Sequence, residues 1–393
     1  MKGIPITAAI FLLLCGLMGI GALMIYSASA DQARETYADS FYYLKRQGLW
    51  MVLGLMVFLL ARRWDYHRYQ RCARWCVLAS VLILIAVLIP GLGKSAGGAQ
   101  RWLKAGRFGL QPSELVKYFL IVYLADLLAR RPGEISGFSR GFLPPALVTG
   151  LLASLVLLQP DLGTAVSLLA AGAIMIFVAG IRTGYLLLTA ALCLPALYFM
   201  VFRVSYRRER ILSFLDPWAD PQGSGFQIIQ SLLALGSGGL AGVGLGESRQ
   251  KLFYLPASTT DFIFSILGEE MGFLGAGALV LFFLLLLWLG YVIARSAPDL
   301  YGQLLATGIT SMLVMQAFVN MGVASGMLPT KGLPLPFISY GGSNLVSSCL
   351  AIGILSNIAF HQGRPDCRHC RSRRADLSRG AFPRPLLRIV QGG

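Results

Sequence analysis

The strongest candidate for a chemical site is a glycine-rich segment that ends in a carboxylate. It runs from Gly242 to Asp261, Gly-Val-Gly-Leu-Gly-Glu-Ser-Arg-Gln-Lys-Leu-Phe-Tyr-Leu-Pro-Ala-Ser-Thr-Thr-Asp, and a long apolar run follows at once. A carboxylate placed there can take up a proton as a general base. The structural alternative is a capping box formed by Ser258 and Asp261, which would satisfy the free amides at the start of a helix. The pattern alone leaves both roles open.

A second pair of charges lies inside an apolar stretch. In Gln-Pro-Ser-Glu-Leu-Val-Lys, Glu114 and Lys117 are one helical turn apart and share a face. Charges at membrane depth are costly and usually face a cavity or a partner. The pair therefore indicates either a substrate-binding site or a private ion pair that locks helix packing. Asp161, which follows Gln-Pro, has the position of a helix N-cap.

The composition indicates that a membrane scaffold positions these residues. The chain has 393 residues, of which 56% are hydrophobic and 13% charged, and its mean hydropathy is +0.66. Repeated apolar runs of about 20 residues predict an all-α polytopic integral membrane protein. They are too long and too uncharged for the alternating strands of a transmembrane barrel.

About ten transmembrane helices are predicted, with a large outer loop, about residues 203–261, before the eighth. Residues 1–361 form the predicted membrane domain. Residues 362–393 are rich in Pro and Arg and are predicted to be a disordered cytoplasmic tail attracted to anionic lipid. The predicted spans are approximately Ile4–Tyr26, Tyr43–Ala61, Cys76–Leu92, Leu110–Leu128, Phe142–Leu158, Thr164–Ile181, Tyr185–Phe202, Phe262–Ala294, Gln303–Met327 and Tyr340–Phe360.

The basic residues set the predicted orientation. The formal net charge is +16, and most Lys and Arg fall on one side if the helices number ten, so both termini are predicted to be cytoplasmic. This rule explains most of the charge, and nucleic-acid binding is therefore not expected. The cations on the predicted outer side favour a site for an anionic group; the alternative is snorkelling at the interface. They include Arg101, Arg210 and Lys331, with Lys94, Lys104, Arg107, Arg203, Arg207 and Arg208 nearby in sequence.

The seven cysteines predict no disulfide framework, because most lie in spans or on basic segments. The pattern Cys367-Arg-His-Cys370 in the tail is too weak to predict a zinc site. No metal ligand set and no cofactor are predicted. Assistance by a divalent cation is left open.

Six motifs resemble those of the SEDS family of shape, elongation, division and sporulation proteins. They occur in order between about Tyr26 and Phe360, and the segment around Lys331 is more like the division branch than the elongation branch. The chain departs from the family where Leu-Pro-Glu-Ala/Arg-His-Thr-Asp is frequent, so neither that Glu nor that His is required here. The motifs are Gly-Ala-Gln-Arg101-Trp102, Gln-Pro-Ser-Glu114-x-x-Lys117, Gln-Pro-Asp161-x-Gly-Thr, Gly-x-Gly-Leu-Gly-x-Ser-x-Gln-Lys251, Leu-Pro-x-x-x-Thr-Asp261-Phe-Ile-Phe and Pro-Phe-Ile-Ser-Tyr-Gly-Gly-Ser.

The resemblance implies a peptidoglycan glycosyltransferase that polymerises lipid II at the outer face of the bacterial cytoplasmic membrane, at the division site. It implies as partners lipid II, the growing glycan strand, a class B penicillin-binding protein with transpeptidase activity, other division proteins and membrane lipids. Asp261 matches the family's catalytic acidic position. The residues predicted to bind substrate are Arg101, Glu114, Lys117, Lys331 and, as a further outer cation, Arg210.

The expected chemistry fits these residue types. The acceptor hydroxyl loses its proton to one carboxylate, Asp261, while cations stabilise the departing polyprenyl pyrophosphate. A single displacement inverts the anomeric centre. The alternatives are a lipid II flippase or transporter, suggested by intramembrane Glu114, Lys117, Glu269 and Glu270, and a non-catalytic division scaffold.

Overall fold

The computed structural model describes residues 5–361 except 92, 97–98, 106–107, 131, 134, 136, 252–254 and 256–258. The predictions for Arg107, for Ser258 of the capping box and for the tail with Cys367 and Cys370 therefore lie outside the described residues. The helices are α1 (Ile6–Tyr37), α2 (Tyr42–Arg63), α3 (Tyr66–Leu88), α4 (Pro112–Arg130), α5 (Leu143–Leu158), α6 (Leu162–Val178), α7 (Thr183–Phe202), α8 (Ser205–Leu215), α9 (Phe226–Ser237), α10 (Ile263–Ser296), α11 (Leu300–Ala324) and α12 (Gly342–His361).

The helical class of the fold is confirmed. Within the described residues, seven helices are long and apolar enough to cross a membrane: α1, α2, α3, α5 with the short π-helical turn that precedes it, α10, α11 and α12. α4, α6 and α7 occupy the other three predicted spans, but α4 carries several charges and α6 is short. The count of ten transmembrane spans stays a prediction.

A small antiparallel sheet was not predicted. Its strands are β1 (Gly93–Ala96), β2 (Ala99–Ala105) and β3 (Phe108–Leu110), in the order β1-β2-β3. β2 pairs with both neighbours, with Leu103 opposite Gly93 on one side and Leu110 on the other. Strands this short and glycine-rich have almost no pattern of their own, because pairing with neighbours defines them. The sheet turns one predicted outer loop into a platform that carries Arg101.

The long segment between α7 and α10 contains more structure than the predicted loop of residues 203–261. It holds α8, a 3₁₀ turn at Pro217–Ala219 and α9, whose buried residues include Ile228 and Ala234. α8 is predominantly polar, which explains why a search for apolar spans treats it as loop.

α10 is broken near its start by Gly272, whose backbone is non-helical (φ 65°, ψ −166°). The break leaves backbone amide and carbonyl groups without hydrogen-bond partners inside the helix. The glycine-rich segment after α9 pairs with them: the Val243 amide donates to the Glu269 carbonyl (3.0 Å), and the Phe273 amide donates to the Gly239 carbonyl (2.9 Å). Gly242 has φ +84° and lies directly against the Glu270 carbonyl, so a side chain does not fit there. The glycine-rich segment therefore supplies backbone hydrogen bonds that stabilise the broken helix.

α11 and α12 form the centre of the bundle, and the segment between them is non-helical yet buried. Leu333, Leu335 and Phe337 are almost fully inaccessible. Gly21 of α1 allows the close approach of this segment, because a Cβ there would collide with the Phe337 carbonyl. Irregular backbone at a membrane must be covered by protein or line water. Protein covers the part of this segment from Leu333 to Ser339.

Candidate active site

Asp261 lies in a turn just before α10 and is not its cap. The N-cap of α10 is Phe262, which makes no side-chain hydrogen bond, and the first helical residue is Ile263. A capping box starting at Ser258 would need helical residues from about 259, but residues 259–262 form turns, and Ser258 itself lies outside the described residues. Among the described residues, no donor hydrogen-bonds the half-buried Asp261 carboxylate. The side chain is thus free to accept a proton.

The backbone around Asp261 is fixed by the non-helical segment between α11 and α12. The Asn320 side-chain amide donates to the carbonyls of Asp261 (2.9 Å) and Leu333 (2.8 Å). The Ser339 hydroxyl donates to the Thr260 carbonyl (2.5 Å), and the Tyr340 amide donates to the Thr259 carbonyl (2.9 Å). These bonds hold the Asp261 turn against the segment without using the carboxylate.

Gly332 of that segment lies directly beside the carboxylate. A Cβ added at Gly332 would be 3.6 Å from Asp261 Oδ2. The neighbouring residue, Lys331, is therefore brought to the same part of the molecule. Lys331 also passes over α6, since a Cβ at Gly163 would be 3.7 Å from Lys331 Cβ. Burial lowers the pKa of the Lys331 ammonium.

Two guanidinium groups and a second carboxylate complete the electrostatic environment. Burial raises the pKa of Asp261 to about 6, although the charges of Arg210 and Arg101 lower it; the charge of Asp161 raises it further. Arg210, on α8, donates to the Thr330 carbonyl (3.3 Å). Arg101, on β2, donates to the Pro160 carbonyl (2.6 Å). The predicted residues Arg101, Arg210 and Asp261 are thus close enough to interact.

Asp161 is the N-cap of α6, as predicted. Its carboxylate accepts from the Thr164 amide (3.1 Å) and the Thr164 hydroxyl (2.9 Å), and it lies 3.9 Å from the Arg101 Nε atom. These bonds give Asp161 a structural role as the cap of α6, whereas the Asp261 carboxylate accepts no hydrogen bond from the described residues.

Glu114 and Lys117 form a buried network on α4, separate from the contacts of Asp261. Lys117 is fully inaccessible, and its ammonium donates to both Glu114 oxygens (3.0 and 2.9 Å) and to the Gln316 carbonyl (2.7 Å). All three ammonium hydrogens therefore have acceptors. Gln316 donates in turn to the Pro334 carbonyl (2.8 Å). The ion pair thus reaches the segment that carries Lys331, and a contact with substrate stays a prediction.

Glu269 and Glu270 lie at the break in α10, where each accepts from a serine. Glu269 accepts from Ser248 and from the Arg249 amide (3.0 Å), whereas Glu270 accepts from Ser27 (2.5 Å). Both carboxylates are buried and serve to hold the glycine-rich segment and α1 against α10.

Sequence analysis missed Asn320 and Gln316, the two polar side chains of α11 that organise the site. Both are almost fully buried. A signal was present, because amides in the middle of an apolar span are costly and usually bond across helices. Gly332 gave no such signal, since its value lies in its place beside Asp261.

Comparisons with known proteins show the family of the chain. Residues 7–364 match the family model for cell cycle proteins of the FtsW, RodA and SpoVE type. The chain is 47% identical over 350 residues to the probable peptidoglycan glycosyltransferase FtsW of Geobacter metallireducens, covering 89% of this chain and 93% of that protein. It is 43% identical to the stage V sporulation protein E of Bacillus subtilis, covering 87% and 94%.

Solved structures show the same fold. A chain from a peptidoglycan synthase complex that coordinates polymerization and crosslinking is 32% identical, with a TM-score of 0.75 and coverage of 91% of this chain and 98% of that one. The rod shape determining protein RodA of Thermus thermophilus is 29% identical, with a TM-score of 0.67 and coverage of 91% and 97%. From motifs, fold and relatives alike, the chain belongs to the FtsW/RodA/SpoVE family, the SEDS family of membrane proteins.

Proposed function

We infer that this chain is a peptidoglycan glycosyltransferase that polymerises lipid II into glycan strands during cell division, with Asp261 as the general base. Several FtsW relatives, up to 47% identical over most of the chain, bear the name of that activity. The observation that carries the catalytic assignment is the Asp261 carboxylate, which accepts no hydrogen bond from the described residues and lies under the influence of two guanidinium groups.

The proton transfer follows from the state of Asp261. With a pKa of about 6, the carboxyl is mostly ionised at neutral pH and is a better base than an ordinary aspartate. The acceptor sugar hydroxyl attacks the anomeric carbon, its proton passes to Asp261, and the new O–C bond forms. The bond from the anomeric carbon to the pyrophosphate oxygen breaks, and its electron pair leaves with the polyprenyl pyrophosphate. One displacement inverts the anomeric centre.

The cations stabilise the charge that develops on the leaving group. Arg101 and Arg210 approach Asp261 from β2 and α8, and Lys331 adjoins Gly332, which lies beside the carboxylate. Prearranged cations of this kind stabilise a transition state without needing an acid on the leaving oxygen. For Glu114 and Lys117 we propose a positioning role, since their network ends at Pro334, three residues from Lys331.

We further propose ten membrane spans, with both termini in the cytoplasm and the α7–α10 connection outside, at the division site. The excess of basic residues on one side supports this orientation. A class B penicillin-binding protein is the proposed partner, supported by the similarity to a chain from a complex that coordinates polymerization and crosslinking. Other division proteins and membrane lipids complete the proposed set.

The decisive experiment uses purified Asp261→Asn protein with lipid II and the partner present. Loss of a general base should lower the polymerisation rate by about 100- to 10,000-fold. Asp261→Glu should also be slow, because the carboxylate moves by about 1 Å, which can cost about 100-fold. Near-normal strand synthesis by Asp261→Asn would exclude the assignment. Adding a chelator to the wild-type reaction tests for a divalent cation, and transfer of lipid II across vesicles without polymer would favour a flippase.

The variant is also expected to be folded. Because the folded-state pKa of Asp261 is raised, its contribution to stability is present below about pH 4 and is lost as pH rises towards about 6. At pH 7 the buried carboxylate therefore disfavours folding, and Asp261→Asn should have a thermal midpoint no lower than that of the wild type. A much lower midpoint would mean that lost activity reports lost structure.

A further inference from the structure

Aromatic side chains cluster at the turn between α1 and α2. Tyr37 and Tyr42 stack with ring centroids 3.8 Å apart and planes 11° apart, and Tyr43 meets Tyr42 edge-on at 5.4 Å. Tyr43 then meets Tyr340, from the segment before α12, at 5.2 Å. These four residues, Tyr37, Tyr42, Tyr43 and Tyr340, are called the tyrosine platform.

The platform connects directly with the catalytic turn. The Tyr340 amide donates to the Thr259 carbonyl (2.9 Å), and the adjacent Ser339 hydroxyl donates to the Thr260 carbonyl (2.5 Å). Asp261 directly follows Thr259 and Thr260 in the chain. The cluster of rings therefore extends from the turn between α1 and α2 to the segment that holds the Asp261 turn, where the glycosidic bond is proposed to form.

The far end of the platform is open. Tyr37 is 46% exposed, and the neighbouring Phe41, also at this turn, is 48% exposed. α1 has 32 residues, about 48 Å of helix, whereas the hydrocarbon core of a bilayer is about 30 Å thick. Its last turns, which contain charged residues, therefore extend towards water and bring Tyr37 with them.

The platform has the chemistry that binds sugars. The C–H faces of pyranose rings pack on aromatic rings, and phenol groups at the same time offer hydroxyls for hydrogen bonding. Arg46 adds a cationic donor: it donates to the Tyr42 hydroxyl (3.0 Å) and lies 5.6 Å from that ring's centroid. Aromatic residues that only mark a membrane interface need no connection to a catalytic turn. Here the rings form one connected cluster, in which Tyr43 also meets Tyr37 edge-on at 6.0 Å, and Tyr340 joins the cluster to such a turn.

We propose that the tyrosine platform binds the growing glycan strand, a chain of N-acetylated amino sugars, and guides it to or from Asp261. This proposal rests on the proposed function, since a growing strand is present at this site only if the chain polymerises lipid II. The platform binds the sugars of the strand and does not bind the pyrophosphate or the lipid. Repeated additions depend on that binding, whereas one addition does not.

The test compares full-length protein with a Tyr37→Ala/Tyr42→Ala double variant. The probe is a lipid-free oligosaccharide of alternating N-acetylglucosamine and N-acetylmuramic acid, titrated by calorimetry. We expect binding to weaken by about 10-fold or more, since each aromatic contact is worth about 2- to 10-fold. In polymerisation reactions the strands should be shorter than those of the wild type. Tyr37→Phe, which keeps the ring, should bind almost as the wild type does.

The matched control is Tyr198→Ala on α7. Tyr198 is also exposed (59%) and packs against Phe202 with tilted rings whose centroids are 4.6 Å apart, but it is remote in sequence from the platform. This variant should leave oligosaccharide binding and strand length unchanged.

Three results would overturn the proposal. Unchanged oligosaccharide binding in the double variant would exclude a sugar site, and weaker binding of the penicillin-binding partner alone would assign the surface to protein. Equal effects of the double variant and Tyr198→Ala would make both clusters interfacial anchors. Failure of the wild type to polymerise lipid II would instead reject the proposed function, and the oligosaccharide titration would still report on the platform.

Discussion

At the scale of single residues, the site depends on how far the Asp261 carboxylate is removed from water and on how strongly nearby cations interact with it. Its carboxylate is partly withdrawn from water but accepts no hydrogen bond from the described residues, while Arg210 and Arg101 act on it through space. A tight ion pair would make the group a weak base, and full burial without cations would keep it protonated. The intermediate state gives a pKa of about 6, which suits a base that works near neutrality.

The pH dependence of the reaction should report this group. Since Asp261 must be ionised to act, kcat/KM should rise about tenfold per pH unit up to about pH 6 and then level off. The measurement is the rate of lipid II consumption between pH 4.5 and 8. A flat profile across that range would contradict a base with this pKa.

Replacing Arg210 should move that profile. Of the charges that lower the pKa of Asp261, Arg210 acts most strongly, so Arg210→Gln should raise the pKa and shift the midpoint to higher pH. Arg208→Gln is the control, because Arg208 is on the same helix but exposed. An unchanged midpoint in Arg210→Gln, or an equal shift in the control, would mean that Arg210 does not act on the carboxyl.

The Glu114–Lys117 pair should behave as a structural unit. Removing one member leaves the other charged and buried, so Lys117→Met should lower the free energy of unfolding by about 3–5 kcal/mol. The double variant Glu114→Gln/Lys117→Met should recover much of that loss and much of the polymerisation rate. If Lys117→Met keeps its stability but loses activity, and the double variant stays inactive, Lys117 contacts substrate.

At the scale of elements, the broken α10 positions the turn that carries Asp261. The first part of α10 follows Asp261, and the glycine-rich segment grips its far end at the break through the carbonyls of Glu269 and Glu270. The other end is held by Asn320 and by the segment before α12. Both ends of this short half-helix are therefore fixed by other elements, which limits the movement of the carboxylate.

A substitution in the glycine-rich segment tests this arrangement. Gly242→Ala places a methyl group against the Glu270 carbonyl at a φ of +84°, so it should lower thermal stability and also slow polymerisation by displacing the half-helix. Gly277→Ala is the control: Gly277 lies in α10 beyond the break at Gly272, a Cβ there has no neighbour within 4 Å, and alanine favours helix. Normal activity in Gly242→Ala would show that the glycine-rich segment does not position Asp261.

At the scale of the whole molecule, the two ends of the bundle should have separate tasks. Asp261 and the platform lie at one end, whereas the basic tail follows His361 at the end of α12. Deleting residues 363–393 should therefore leave polymerisation in detergent within about twofold, while weakening attachment to anionic vesicles. A large loss of activity in detergent would mean that the proposed orientation of the spans is wrong.

The sequence by itself determined most of the helices, because an apolar run of about 20 residues can hide its backbone polar groups only by forming a helix. It also drew attention to Asp261, Arg101, Arg210 and Lys331, which the structure brings to one region and whose roles are proposals. The cap at Asp161 followed from local spacing alone.

Only the tertiary structure decided how these residues act together. The break at Gly272, the small sheet under Arg101 and the amides of Gln316 and Asn320 all join segments that are distant in the chain. The role of the glycine-rich segment belongs here too, because it is set by backbone groups of another element that no local pattern reveals. Asp261 itself has the same spacing whether it caps a helix or accepts a proton. The helix begins two residues beyond it, and that leaves the carboxylate free for the base role proposed here.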